Sequence, residues 1–313
     1  MHCPDEDLII IGAGPAGLTA AQYGGRANLR VLAFEQLAPG GQALNIEALE
    51  NYPGVIPAKP GSDFAEDLRR QAEQFGARFT VEPVLSVAKE GTRFRVGLSK
   101  GAGVTAYAVI IATGAKHRTL DIPGEKEFYG RGVSYCAVCD GPFFKNKKIV
   151  VVGGGDAACD EAQYLSRIAS QVVLIHRRGS FRAQKALAER VLHNPAIEVR
   201  FNTRMLEIQG DTRVTQVTLE NTVTGERRAE AAQAVFIFAG VTPQTALVPD
   251  LAVDGGGYLL TDQNMATALP GLFAAGDVRA SPFRQVVVAA GEGAVAAHRA
   301  AAYIDEVKGE AYR

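Results

Sequence analysis

The stretch Asp7-Leu8-Ile9-Ile10-Ile11-Gly12-Ala13-Gly14-Pro15-Ala16-Gly17 decides the fold. Its first half is almost wholly apolar, the pattern of a short parallel strand buried on both faces. Its second half is G-x-G-x-x-G, and an Ala-rich helical stretch follows from Leu18 to Ala27. A further strand, Val31 to Phe34, closes on Glu35. Strand, glycine turn, helix, strand and acid in this order form a dinucleotide fingerprint in its proper context. The first two glycines allow a tight turn and close approach to a pyrophosphate, the third lets helix and strand pack, and the helix N-terminus offers N–H groups to phosphates. Glu35 is placed to accept ribose hydroxyls.

Working outward, Pro39-Gly40-Gly41-Gln42 and Glu50-Asn51-Tyr52-Pro53-Gly54 are loop-rich and too long for a simple connection. They are either irregular surface or a place where glycines let the backbone approach a flat ring system. Asp63 to Phe75 has helical spacing, Arg78 to Val109 reads as short strands, and Val109 to Gly114 is another buried strand ending on glycine. The pattern then begins again. Lys148 to Val152 is a strand ending in Gly153-Gly154-Gly155-Asp156-Ala157-Ala158, a helix runs from Ala157 to Ile168, and Val172 to Ile175 is the next strand. Val235 to Gly240 echoes Val109 to Gly114. An internal duplication of one nucleotide-binding architecture accounts for the repeat.

The copies differ where specificity lies. The second copy ends not on an acid but on His176-Arg177-Arg178, with Arg182 following. Arginines supply forked donors that match a phosphate, so NADPH is favoured over NADH. A solvated basic loop is the bland alternative. Asp156 suits the helix dipole but not a nearby phosphate, and has no firm role. In the tail, Leu259 to Thr261 and Leu272 to Ala275 read as strands, the latter ending in Gly276-Asp277; Arg284-Gln285 then open a small-residue helix from Val286 to Tyr303. The start of such a helix can bring N–H groups close to an anion such as a reduced flavin, and Asp277 could hold a ribityl hydroxyl.

The chain of 313 residues has room for two domains, and 47% hydrophobic and 21% charged residues describe an ordinary globular protein. A net charge of -1 gives no global attraction to nucleic acid or anionic membrane. No apolar run reaches spanning length, and the N-terminus begins a strand instead of a signal peptide, so no membrane partner and a cytoplasmic location are expected. Four cysteines are too few for a disulfide scaffold. Cys136-Ala137-Val138-Cys139-Asp140 is then a C-x-x-C pair in a reducing compartment, open to catalysis, metal binding or inert packing. Zinc would need further ligands, but Cys3 and Cys159 are single and no histidine has ligand spacing to the pair, so no metal is expected. Ser134 is placed to cap a short helical turn that Gly141-Pro142 ends, and sulfurs near a helix start are reactive. Asp140 could protonate a departing thiolate. A redox disulfide is the favoured reading; Cys3 receives no role and Cys159 is assigned to packing.

These motifs together make the chain resemble the low-molecular-weight thioredoxin reductases over essentially its whole length. The resemblance is carried by GAGPAG (12–17), GGQ (40–42), ENYPG (50–54), ATGA (112–115), CAVCD (136–140), GGGDAA (153–158), HRRGSFRA (176–183) and GLFAAGD followed by FRQ (271–285). It implies an α/β fold of two Rossmann-like domains, with an FAD domain at 1–116 and 245–313 and an NADPH domain at 117–244, carrying the dithiol, inserted in it. It implies FAD at Gly12, Gly14, Pro15, Ala16, Glu35, Gln36, Gly41, Gln42, Asn51, Ala112, Gly114, Gly276, Asp277, Arg284, Gln285 and Val286. NADPH would lie at Gly153, Gly155, Asp156, Ala157, His176, Arg177, Arg178, Arg182 and Gly240. The resemblance also implies a homodimer, and that Cys136 attacks a thioredoxin disulfide while Cys139 faces the flavin and Asp140 serves as acid. Nicotinamide and dithiol would take turns at the flavin by rotation of the NADPH domain, with Ala115–Thr119 and Gly240–Thr245 as hinge candidates. Pro142-Phe143-Phe144 departs from the family's aromatic run. The larger glutathione-reductase-like enzymes match poorly, because their dithiol lies in the FAD domain and they carry a long C-terminal dimer domain. A peroxiredoxin-type carrier or small dithiol as acceptor, a dithiol oxidase, and a non-catalytic flavin-binding module are the competing readings; the arginine cluster argues against the oxidase, and the dithiol against the last.

Overall fold

In the computed structural model, which describes residues 5–46, 48–101 and 103–310, the N-terminal apolar run is strand β1 (Glu6–Ile11). Cys3 lies outside the described residues. Side chains along β1 alternate between two cores: Leu8 and Ile10 enter one, Ile9 and Ile11 the other. Each such side chain contributes ~1.5–3 kcal/mol of burial, and a one-residue slip would exchange the two faces, so the pattern fixes the register. Helix α1 (Pro15–Arg26) starts inside the glycine turn and ahead of Leu18, because proline fits a first turn that needs no N–H. Gly12 has φ +102°, and a Cβ on it would stand 2.2 Å from the Ala112 carbonyl oxygen. Glycine is required there.

Strand β2 (Val31–Glu35) lies parallel to β1. Helix α2 (Gly61–Gln74) leads to β3 (Arg78–Val81), β4 (Val84–Glu90), β5 (Arg93–Leu98) and β6 (Val104–Ile111). The sheet runs β3-β2-β1-β6-β5-β4, parallel through β3, β2, β1 and β6 and antiparallel at β5 and β4. The chain then crosses out through β7 (Ala115–His117).

Two compact units result, one of Met1–Lys116 with Thr242–Arg313 and one of His117–Val241. The second unit contains β8 (Val133–Ser134), the single turn α3 (Ala137–Asp140), β9 (Lys148–Gly153), α4 (Asp156–Ser166), β10 (Gln171–Ile175), α5 (Lys185–Leu192) and β11 (Ile197–Arg200). An antiparallel sheet of β12 (Thr203–Gly210), β13 (Val214–Asn221) and β14 (Arg227–Ala231) follows, and then β15 (Ala234–Phe238). The parallel sheet of this unit runs β11-β10-β9-β15-β8. It repeats the two-faced logic of β1: Ile149 and Val151 face one core, Val150 the other. Helix α5 and the antiparallel sheet were not anticipated from the sequence.

The return crossing, β16 (Val241–Pro243), pairs with β7 in a two-stranded sheet. Strand β17 (Leu272–Ala274) then joins β6 in parallel, and α6 (Val286–Lys308) packs its alanine-rich face on α1 and the sheet. The strand expected at Leu259 to Thr261 is not formed: Leu259 makes only isolated bridges to Val253 and Arg279. The helix expected to stop at Tyr303 continues to Lys308, since Ile304 is still buried against the first unit's core.

One charged group crosses these elements. Asp7, 4% exposed, accepts the Arg30 backbone N–H at 2.9 Å and pairs with Lys308 Nζ at 2.9 Å. Burial pushes its carboxyl up, but hydrogen bonds from Arg30 and the Lys308 charge outweigh this and hold its pKa at about 2. A carboxylate depressed on folding stabilises above its unfolded value of 3.8 and loses that contribution as pH falls towards 2. Asp7→Asn is therefore expected to lower stability by about 1–2 kcal/mol at neutral pH, a deficit that narrows between pH 4 and 2. Urea melts across that range check this, and a deficit independent of pH would contradict it.

Candidate functional site

Parallel strands β1, β2, β6 and β17 end on one edge of the first unit's sheet, where a doubly wound fold takes its ligands. The turn Gly12–Ala16 leaves β1 there. Glu35, the last residue of β2, braces this turn: one carboxylate oxygen accepts the Ala13 N–H at 2.8 Å and the other the Gln36 N–H at 2.7 Å. The Pro39–Gln42 loop folds over the turn, with the Gly40 N–H donating to the Ala13 carbonyl at 2.7 Å. Gly41 lies so close that a Cβ on it would stand 2.9 Å from Gly14 Cα. The loop is thus packed onto this turn, not irregular surface. Gln42 donates to the Ala115 carbonyl at 3.0 Å. Asn51 donates to Gln285 at 3.0 Å, tying the 50–54 loop to the start of α6. Val286 is the first residue of that helix, and the Gln285 side chain gives it no cap.

Ala112 and Gly114 follow β6, and Gln244 clips this segment: its N–H donates to the Gly114 carbonyl at 2.9 Å, while the Thr113 hydroxyl donates to the Gln244 carbonyl at 2.7 Å. After β17, the Gly276 N–H donates to Glu292 at 2.8 Å. Glu292 is buried on α6 and also pairs with Arg279. Asp277 has no hydrogen-bond partner among the described residues; burial pushes its carboxyl up, with the Arg284 guanidinium opposing. Arg284 lies over the Tyr258 ring at 3.8 Å. Gln244, Tyr258, Arg279 and Glu292 escaped the sequence reading. Glu292 alone carried a signal, as a lone carboxylate on the small-residue face of a helix.

In the second unit β9, β10, β15 and β8 likewise end on one edge. The β9–α4 turn places Gly153, Gly155, Asp156 and Ala157 there, the end of β10 leads into His176, and Gly240 follows β15. The His176 ring presses on this turn so closely that a Cβ on Gly154 would stand 2.3 Å from Nδ1. His176 is 7% exposed, and its Nε2 has no partner among the described residues. Burial and then the charges of Arg182, Arg178 and Arg177 hold its pKa below the ordinary histidine value, which keeps the ring neutral. Arg177, Arg178 and Arg182 are exposed, and no carboxylate among the described residues pairs with them. Asp156 acquires a partner: its carboxylate accepts the Gln184 N–H and side-chain amide, both at 2.7 Å.

The chain reaches the dithiol from the same edge, directly after β8. Cys136 and Cys139 form a disulfide with Cα atoms 5.3 Å apart. Cys136 itself caps α3, its sulfur accepting the Cys139 N–H at 3.1 Å. Ser134 does not cap the turn, because it ends β8 and lies too early in the chain. Its hydroxyl accepts the Cys136 N–H at 3.1 Å and donates to the Asp140 carboxylate at 2.6 Å. The α-helical turn ends at Gly141, its C-cap, as expected, and the chain passes directly into a 3-10 turn, Gly141–Phe144. Phe143 there is 79% exposed, whereas Phe144 packs edge-on against Phe236. Tyr135 donates to the buried Glu125 at 2.7 Å, and Glu125 also accepts the Leu120 and Asp121 N–H groups. Cys159 is buried on α4 with its thiol pushed up to about 12 by burial, so it stays protonated and unreactive. Among the described residues no group of three His, Cys, Asp or Glu side chains could hold a metal ion, and no helix is long and apolar enough to cross a membrane.

Residues 6–293 match the family described as pyridine nucleotide-disulphide oxidoreductase. The chain is 54% identical to a thioredoxin reductase of Treponema pallidum, over 97% of this chain and 99% of that protein. The chain belongs to the thioredoxin reductases. The crystal structure of a Lactococcus lactis thioredoxin reductase in its FR conformation is similar at TM-score 0.94 and 40% identity, covering 96% of this chain and all of that one. The crystal structure of the T. acidophilum thioredoxin reductase is similar at TM-score 0.90 and 32% identity, covering 96% of this chain and 99% of that one. Thioredoxin reductases of this family use FAD and NADPH. The unpartnered, desolvated carboxyl of Asp277 and the bare backbone where Gly14 meets Gly41 fit a flavin nucleotide. The orphaned Nε2 of His176 among unpaired arginines fits a phosphorylated one.

Proposed function

We propose that this chain reduces thioredoxin, with electrons passing from NADPH through FAD to the Cys136–Cys139 disulfide and then to the partner's disulfide. The observation that carries this reading is the dithiol turn itself: a disulfide whose first sulfur caps a helical turn, beside a carboxylate oriented by Ser134. On this reading the first unit's sheet edge holds FAD, with Glu35 at the ribose and Asp277 at the ribityl chain, and the second unit's edge holds NADPH. FAD supplies a carrier that takes an electron pair from the nicotinamide and delivers it to the disulfide.

The chain's own groups do the rest. In the reduced pair, the Cys139 N–H stabilises the Cys136 thiolate as it now holds the Cys136 sulfur. That thiolate attacks one sulfur of the thioredoxin disulfide and the other sulfur leaves, so a mixed disulfide forms. Cys139 then attacks Cys136, the disulfide of the chain re-forms, and the partner departs with two thiols. Asp140 supplies the proton that a departing thiolate needs, and Ser134 holds it on the dithiol side.

The crossings Ala115–His117 and Val241–Pro243 are the hinge we favour. Gln244 is fastened to Thr113 and Gly114 within the first unit, and the Arg118 N–H to the Gly240 carbonyl at 2.9 Å within the second, so freedom is confined to the short strands between. A homodimer in the cytoplasm, where NADPH and reduced thioredoxin work, completes the reading.

The test mixes the FAD-loaded protein with NADPH and a disulfide dye, with and without thioredoxin. Dye reduction is expected only when thioredoxin is present. Equal reduction without it would replace thioredoxin by a small disulfide as acceptor.

A further inference from the structure

The arginines that would hold the NADPH phosphate sit on a loop, and a loop must be ordered before its charges can act together. This one is fastened at both ends. At its start the Arg178 carbonyl accepts the Asn202 N–H at 3.0 Å and the Arg177 carbonyl the Thr222 hydroxyl at 3.2 Å. In its middle the Arg182 N–H donates to the Gly154 carbonyl at 2.7 Å, and Phe181 packs against Phe201. At its far end Ala183 packs against the second unit's core, and the polar tie is the Asp156 carboxylate, which takes both the backbone and side-chain N–H groups of Gln184.

We infer that Asp156 is a positioning residue for nucleotide selectivity: clasped to Gln184, it holds the 177–184 loop open and ordered for a 2′-phosphate before the nucleotide arrives. A carboxylate at the first turn of α4 is otherwise an unfavourable neighbour for a pyrophosphate, and it would repel NADH and NADPH alike. Each of its two carboxylate oxygens instead accepts one N–H of Gln184, so both are turned to the loop. Without the clasp, the cost of ordering the loop falls on whichever ligand engages the arginines, which is NADPH and not NADH.

The inference rests on the proposed NADPH site, so the experiment carries a separate arm for that site. Steady-state kinetics of the FAD-loaded, full-length protein are measured with NADPH and NADH for Asp156→Ala, Asp156→Asn, Gln184→Ala and Arg178→Ala. Asp156→Ala is expected to raise KM for NADPH about tenfold more than KM for NADH, the scale of two lost hydrogen bonds. Asp156→Asn, which can still accept the Gln184 N–H, keeps most of the preference. Gln184→Ala, an exposed change that leaves the fold intact, shifts the preference in the same direction by a smaller factor. If Asp156→Ala changes both KM values alike, or Asp156→Asn loses as much selectivity as Asp156→Ala, the clasp is wrong and the carboxylate acts through its charge. If Arg178→Ala collapses the preference and Asp156→Ala and Gln184→Ala leave it intact, the clasp alone fails. If Arg178→Ala leaves the preference intact as well, the phosphate site itself falls and the clasp with it.

Discussion

Cys136→Ser and Cys139→Ser are each expected to lower NADPH-driven thioredoxin reduction by more than about 10³-fold, the scale of loss when one member of a catalytic unit is removed. They should fail at different points. In Cys139→Ser the Cys136 sulfur keeps its place at the helix cap, where the residue-139 N–H donates to it. It can still attack the thioredoxin disulfide, but nothing resolves the mixed disulfide, so a covalent complex accumulates. In Cys136→Ser the remaining thiol lies inside the turn and is not the cap, so its thiolate lacks that N–H. No complex should form. Both variants should still be bleached by NADPH, because the residues proposed to hold the two nucleotides do not include either cysteine. Non-reducing gels after mixing with oxidised thioredoxin, alongside flavin absorbance, separate the two steps. A complex trapped by Cys136→Ser instead of Cys139→Ser would reverse the assignment of nucleophile and resolving thiol.

Arg177→Glu with Arg178→Glu is expected to weaken NADPH by about 10³-fold or more while leaving NADH nearly untouched. Hydrogen bonds to a charged group are each worth about 1.5–3 kcal/mol, and two attractions become two repulsions. The geometry favours a large effect, since neither guanidinium spends its charge on a carboxylate among the described residues. A second readout follows from His176, which burial and then its arginine neighbours hold below the ordinary histidine pKa. Reversing two of those charges lets the ring protonate at a higher pH. A shift of its NMR titration in that direction, with lost NADPH affinity, is the expected pair of results. Unchanged NADPH affinity would refute the phosphate assignment.

Much of the frame was legible in the sequence because buried parallel strands leave a continuous apolar run with no alternation to hide it. Leu8 to Ile11, Ile149 to Val152 and Val235 to Ala239 are such runs, and each is followed directly by a glycine. What was illegible depends on partners distant in the chain. The Asp156 bond to Gln184, the Gln244 clip on Thr113 and Gly114, and the Glu292 pair with Arg279 join residues whose local surroundings announce nothing. The dithiol turn shows the opposite error. Serine is the better capping residue in general, but capping is decided by position, and the backbone put Cys136 in that place and left Ser134 to orient Asp140. Leu259 to Thr261 had strand composition without a neighbouring strand to pair with, and became a bridge.

The paired crossings β7 and β16 bear on the order in which the chain assembles. Strand β17 must find β6 across the whole inserted unit, and α6 must then close over β1 and α1. During synthesis the dithiol unit emerges complete before either piece of the first unit's tail exists. Once that unit has folded and its entry and exit strands have zipped together, the loop that separates β6 from β17 shrinks from an entire domain to the length of a neck and a tail. By the logarithmic law of loop closure this saves roughly 1–3 kcal/mol of chain entropy. The insertion therefore need not slow its host: folded first, it serves as the splint on which the split sheet is set.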